Sequence, residues 1–217
     1  MRIAQLSLHA SPLAPPGGKD VGGMQVYVLE LSRELARLGY EVDMFTRRDG
    51  DLPAIEPVER NLRLIRIDAG PAEPVDKEAQ VAYLPGMIRN MRPYFCGEGP
   101  GYDVIHSHYW QSGRAGLVLA RETGLPHVTM FHTLGEVKNR ARISEREPRT
   151  RIHHERRIAR GVDAIVTASE HEQDLLERHY GAHRARMVTI PCGVDVTRFY
   201  PRDRATSRQR LGLPTEG

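Results

Sequence analysis

Short apolar runs alternate with amphipathic stretches along nearly the whole chain, and this alternation restricts the fold more than any other feature. RIAQLSL (2–8) is a run of strand type. MQVYVLELSRELARLG (24–39) follows at helical spacing, with Val26, Leu29, Leu31, Leu35, Ala36 and Leu38 on one side and Gly39 as its stop. EVDMFTR (41–47) and LRLIRIDAG (62–70) read as strands. A helix is expected within 76–92, ending before Pro93, because proline lacks the N–H a helix needs. YDVIHSHY (102–109) reads as a strand, SGRAGLVLARETG (112–124) as a helix and PHVTMFHT (126–133) as a strand. A basic helix over 148–161, the strand DAIVTAS, the helix EHEQDLLERHYG and the strand RMVTIPCG complete the series. Such alternation implies βαβ units. The expected fold class is α/β: Rossmann-like and doubly wound, with a mostly parallel sheet and helices on both faces.

Composition removes several function classes. The 217 residues are 40% hydrophobic and 27% charged, an ordinary soluble composition able to bury a sizeable core. A net charge of +3 comes with no recognition-helix, zinc-finger or stacking-aromatic pattern, so nucleic acid is not an expected partner. Cys96 and Cys192 lack CxxC spacing and fit a reducing compartment. The first apolar run is too short for a signal peptide or a membrane span, so a cytoplasmic protein with no transmembrane segment is expected. Residues 136–150 carry charge without apolar periodicity and are expected to form a mobile loop. Residues 1–199 read as one domain, and 200–217 as a linker toward a further domain.

In doubly wound sheets ligands sit beyond the carboxyl ends of the strands. After the first run come His9, Ser11, Gly17, Gly18, Gly22 and Gly23, and the last pair opens a helix. Glycine lets a backbone approach a ligand, and a helix N-terminus offers unpaired N–H groups to an anion. A plain tight turn explains the same pair equally well. His106 and His108 alternate onto one side of their strand without an acidic or cysteine partner nearby, so no metal is expected. His132 ends the next strand, and Ser169 is a helix cap by type. Lys77, Lys138, Arg151, Arg156 and Arg157 supply cations, of which one or two could hold a phosphate.

GGMQVYVLELSRELARLGYEVDMFTR, DVIHSHYW, FHTLGEVKN and PCGVDVTRFYP, in this order, resemble the retaining glycosyltransferases of family 4, which have the GT-B fold. The nearest likeness lies with the enzymes that glycosylate inositol phosphate, and sucrose-phosphate synthase shares several of the stretches. The resemblance implies that Gly22 and Gly23 lie against the diphosphate of a nucleoside diphosphate sugar, most commonly a UDP-sugar. It implies that His132 stands beside the reacting sugar carbon. His9, Gln25, Lys77, Tyr109, Thr133 and Arg151 would bind the acceptor, the last four around its phosphate. Gln25 stands where the inositol enzymes have asparagine. No cofactor and no metal are implied; the partners are a nucleotide sugar and a small-molecule acceptor, with a homodimer left open. Competing readings are a non-catalytic module that binds a phosphorylated sugar and a dinucleotide oxidoreductase. The latter lacks GxGxxG.

Overall fold

The computed structural model describes residues 1–15, 22–97, 99, 101–141 and 146–214. Gly17 and Gly18 lie outside the described residues. The strands are β1 (Arg2–Leu6), β2 (Glu41–Arg47), β3 (Ile55–Glu59), β4 (Leu62–Ile67), β5 (Val104–His108), β6 (His127–Met130), β7 (Ala164–Thr167) and β8 (Met187–Thr189). The helices are α1 (Gly23–Arg37), α2 (Leu84–Cys96), α3 (Tyr109–Thr123), α4 (Gly135–Ala141), α5 (Arg149–Gly161), α6 (Glu170–Tyr180) and α7 (Arg204–Arg210), with a 3-10 turn at Ala79–Tyr83 leading into α2. Among the described residues the strands form one sheet in the order β3-β4-β2-β1-β5-β6-β7-β8. All neighbours are parallel except β3 and β4.

Alternation along the strands feeds both faces. Ile3, Val42, Met44, Leu62 and Leu64 pack with Val28 and Ala36 of α1. On the other face Ala4, Leu6, Phe45, Ile65 and Ile105 meet Met87, Met91 and Phe95 of α2 and Ala115 and Leu119 of α3. A third cluster joins Phe131, Ile165 and Met187 to Ile152 and Ile158 of α5 and to Leu176 and Tyr180 of α6. Burying one such side chain fully stabilises by roughly 1.5–3 kcal/mol. Because α1 leaves on one face and α2 returns on the other, the chain parts between β1 and β5. That parting leaves a crevice at their carboxyl ends, the usual ligand position.

Several details depart from expectation. The buried stripe of α1 is Gln25, Val28, Ser32 and Ala36, while Val26 and Leu38 point to water. Small and polar residues let α1 lie close to the sheet, and Leu29 and Leu35 cover its flanks. Strand β3 carries Pro57, which cannot donate to a ladder and is tolerated only because β3 is an edge. Helix α2 runs through Pro93 to Cys96. Proline there costs one hydrogen bond in the last turn, and the packing of Phe95 against Phe45 and Tyr102, with ring centroids 5.5 and 4.8 Å away, outweighs it. The expected loop at 136–150 is helical through Ala141 and again from Arg149. Asn139 and Glu147 tie the two parts: the Glu147 N–H donates to Asn139 Oδ1 at 2.7 Å, and Asn139 Nδ2 donates to the Glu147 carbonyl at 3.3 Å. Among the described residues no helix is long and apolar enough to cross a membrane.

Candidate functional site

Three strand ends and two helix starts converge on the crevice. His9 follows β1, His108 ends β5 and His132 follows β6. Tyr109 opens α3 and Arg151 lies in the first turn of α5. Two of these residues sit in backbone that side chains rarely adopt: φ is +71° at Tyr109 and +62° at His132. At His132 the Thr133 N–H reaches back to the Phe131 carbonyl at 2.7 Å, closing a tight three-residue turn. A bulky residue at positive φ costs roughly 1–3 kcal/mol, and such strain clusters where geometry serves a ligand. Among the described non-glycine residues the only other case is Asn61, in the β3–β4 turn.

Lys77, Tyr109 and Arg151 line one pocket of about 210 Å³, together with Trp110, Glu147 and Thr150. The Arg151 guanidinium lies 4.8 Å above the Tyr109 ring. Its Nη2 donates to both the carbonyl and the Oγ1 of Thr133 at 3.0 Å. Four residues far apart in sequence therefore meet at one place. His9 joins them, its ring 4.5 Å from that of Tyr109. Burial, then the charge of Lys77, pushes the His9 imidazole down to about 3. Among the described residues its Nδ1 is buried without a hydrogen-bond partner.

Sequence reasoning missed the two carboxylates of this site. Arg151 is 2% exposed and pairs with Glu155 at 2.7 Å and with Glu147 at 2.8 Å. Glu147 also bonds Lys138. Glu155 is fully buried and accepts the Gly135 N–H at 3.0 Å, while Tyr180 receives the Glu136 N–H at 2.8 Å. Glu155, four residues after Arg151 on α5, shares its side of the helix, and Glu147 reaches it from the segment just before the cap residue Pro148. The basic helix thus neutralises its key arginine internally. Arg156, by contrast, spends its Nε on the His179 carbonyl at 3.1 Å, away from the pocket.

The glycine pair behaves differently from a turn. Gly22 is extended, with φ −149°, and neither Gly22 nor Gly23 has positive φ. Among the described residues, a Cβ built on either meets nothing within 4 Å. The fold's own geometry requires glycine at neither position. Gln25 serves the loop itself, accepting the Gly22 N–H at 2.9 Å with its side chain 3% exposed. One turn into α1, Tyr27 packs edge-on against His132 with centroids 5.3 Å apart, which sets the helix start beside the histidines. His106 and His108 do share a side of β5, with rings 4.3 Å apart. Ser169 caps α6 by accepting the Glu172 N–H, as its residue type suggested. Both cysteines are exposed and free.

Glycosyltransferase Family 4 matches residues 21–198. The D-inositol 3-phosphate glycosyltransferase of Streptomyces bingchenggensis is 41% identical over 221 residues, covering 99% of this chain and 48% of that protein. That of Thermobifida fusca is 40% identical over 222 residues, covering 99% and 50%. Sucrose-phosphate synthase from Thermosynechococcus elongatus superposes with a TM-score of 0.88 at 33% identity, over 99% of this chain and 53% of that one. An Anabaena protein solved in complex with UDP-glucose gives a TM-score of 0.59 at 15% identity over 98% and 50%, a likeness of fold. The chain spans about half the length of the curated relatives it matches. A family match over most of its length and relatives near 40% identity place it by descent as well as by fold: the chain belongs to Glycosyltransferase Family 4.

Proposed function

We propose that this chain is the acceptor-binding half of a retaining glycosyltransferase that moves a sugar from a nucleoside diphosphate sugar to a phosphorylated polyol or sugar. The observation that carries the reading is the meeting of Lys77, Tyr109 and Arg151, with Thr133 attached, around one pocket at the carboxyl edge of the sheet. An ammonium, a phenol and a guanidinium suit a phosphate monoester. Arg151 reaches a phosphate by exchanging Glu147, its partly exposed partner, for the ligand, while Glu155 holds the other side.

The donor diphosphate lies against Gly22 and Gly23 in this reading. The N-terminus of α1 directs its positive dipole end there and has no acidic residue in its first turn. His132 stands beside the reacting sugar. The acceptor hydroxyl attacks from the face that the leaving phosphate occupies, and that phosphate takes its proton. Rate enhancement then comes from positioning and from stabilising charge on the leaving group. Residues 200–217 lead toward a second domain that grips the nucleotide. The exposed Val194, Val196, Phe199 and Tyr200 are apolar side chains for it to cover. A cytoplasmic location and the absence of a metal requirement belong to the same reading.

The test is product formation by the full-length protein with UDP-sugars and paired acceptors, inositol phosphate and inositol. Transfer with retained anomeric configuration to the phosphorylated acceptor supports the proposal. Tight binding of inositol phosphate with no transfer from any nucleotide sugar would leave the binding-module reading instead.

A further inference from the structure

Gln5, His108 and His132 form one line of hydrogen bonds across the carboxyl edge of the sheet. Gln5 on β1 stands in register with His106 of β5, and alternation puts Gln5, His106 and His108 on the face that α1 covers. Gln5 and His108 are fully buried. His108 Nε2 lies 2.7 Å from Gln5 Oε1, and His108 Nδ1 lies 3.0 Å from His132 Nε2. Tyr27 closes the line from above, edge-on to both rings at 6.0 and 5.3 Å.

The direction of this line follows from its first atom. An amide oxygen only accepts, so the proton between Gln5 and His108 belongs to His108 Nε2. Burial holds His108 well below its ordinary range and brings His132 down to about 4, so both rings are uncharged at neutral pH and carry one proton each. With Nε2 protonated, His108 Nδ1 is a lone pair and accepts. His132 Nε2 must then donate, and His132 Nδ1 is left bare.

We propose that Gln5 and His108 are positioning residues that fix His132 in the tautomer with its proton on Nε2, presenting Nδ1 as a hydrogen-bond acceptor to a sugar hydroxyl. The hydroxyl's identity as part of a sugar substrate rests on the transferase reading above; the tautomer does not. The strained turn at His132 sets where the ring stands, and the line from Gln5 sets which of its nitrogens can accept. A turn alone holds position without choosing a proton, so the two devices do different things.

The test reads the proton directly. Long-range ¹H–¹⁵N correlation on protein labelled at histidine distinguishes the two neutral tautomers. His132 in the unaltered protein is expected to be protonated on Nε2 alone. The opposite orientation of the Gln5 amide would reverse every bond in the line and put the proton on His132 Nδ1; that spectrum overturns the proposal whatever any variant does. Gln5→Met removes the acceptor at similar volume. His132 should then populate both tautomers, with kcat down about tenfold, the equivalent of one neutral hydrogen bond, and KM unchanged. A single unchanged tautomer with kcat within about twofold of the original would also overturn it. The spectrum needs no turnover. The expected tautomer in a protein that transfers no sugar would therefore overturn the transferase reading and leave the line intact.

Discussion

Two buried polar clusters sit at opposite edges of the same sheet, and they are built by opposite rules. At the amino edge Asp43 is saturated. It accepts from Arg63 Nε at 2.8 Å and from Arg63 Nη2, Arg2 Nη2 and the Tyr102 hydroxyl at 2.7 Å. At the carboxyl edge, Gln5 Nε2, His9 Nδ1 and His106 Nε2 are buried with no hydrogen-bond partner among the described residues. Each buried polar group without a partner costs about 1–3 kcal/mol. The first cluster completes the fold. In the proposed reading, the second is where substrate binds.

The largest expected effect tests the amino edge. Asp43→Ala strips the partner from two arginines and a buried phenol, and breaking a buried ion pair in this way costs about 3–5 kcal/mol. Denaturant unfolding should record that loss while acceptor binding, measured below the new midpoint, stays the same. A loss under about 1 kcal/mol would mean that the arginines find water as easily as they found the carboxylate.

Arg151 shows why the pocket needs a cleaner probe. It faces the pocket, yet it also neutralises the fully buried Glu155. Arg151→Ala would therefore combine the two kinds of damage. Lys77 is only half-buried, and its ammonium lies 3.5 Å from the exposed Glu78. Lys77→Met should leave the melting temperature nearly unchanged. It should weaken a phosphorylated acceptor by about ten- to a hundredfold, corresponding to about 1.5–3 kcal/mol for a charged hydrogen bond. The unphosphorylated analogue should be indifferent. Equal losses for both acceptors would remove the phosphate from this pocket.

The two edges were unequally legible in the sequence. Strand periodicity placed β1, β2, β4, β5, β6, β7 and β8, and with them the residues that end each strand, because a parallel sheet brings those ends to one edge. His132, Tyr109 and Arg151 could be named from that rule and from family likeness. Their partners could not. The Gln5–His108 contact joins residues 103 positions apart, and nothing in either local pattern announces it. Asp43 looked like one polar residue in an apolar run. Its three partners come from β1, β4 and the loop before β5, so only the assembled sheet explains it. Strand β3 escaped because Pro57 breaks the strand signal, and only its edge position makes the proline harmless.

Acid should separate the clusters by pH. His106 is held down at about 3, by burial first and then by the neighbouring histidines, against about 6.5 in the unfolded chain. Between those values the unfolded chain binds a proton that the folded one refuses, so stability falls as pH drops below about 6.5. Such a ring forfeits about 2 kcal/mol by pH 5. Asp43 has the same sign but acts at lower pH. Burial alone would raise it, but the bonds from Arg63, Tyr102 and Arg2 hold it below its ordinary value. Its contribution persists until the pH falls below about 4, where the unfolded carboxyl also protonates. The carboxyl edge should thus weaken first. In His106→Asn the slope of stability against pH between 6.5 and 5 should become shallower by about 1.4 kcal/mol per pH unit. An unchanged slope would mean that His106 takes its proton freely in the fold, and the contrast between the edges would lose its sharpest evidence.

The smallest change in free energy is expected at Gly23, and its sign matters more than its size. Gly23 opens α1 without positive φ, and a Cβ there has open space around it. Replacing glycine in a backbone that any residue accepts reduces the freedom of the unfolded chain and stabilises by about 0.4–1 kcal/mol. Gly23→Ala should therefore raise the melting temperature slightly. Gly23→Val, with a larger side chain in the same space, should fold and yet stop turnover in the full-length protein if that space belongs to the donor diphosphate. The pair separates two reasons for a glycine. One kept for the fold destabilises when replaced, as at a tight turn. One kept for a ligand makes the protein firmer and less active at once. Destabilisation by Gly23→Ala beyond about 1 kcal/mol would return the pair to the plain-turn reading and leave the diphosphate without its cradle.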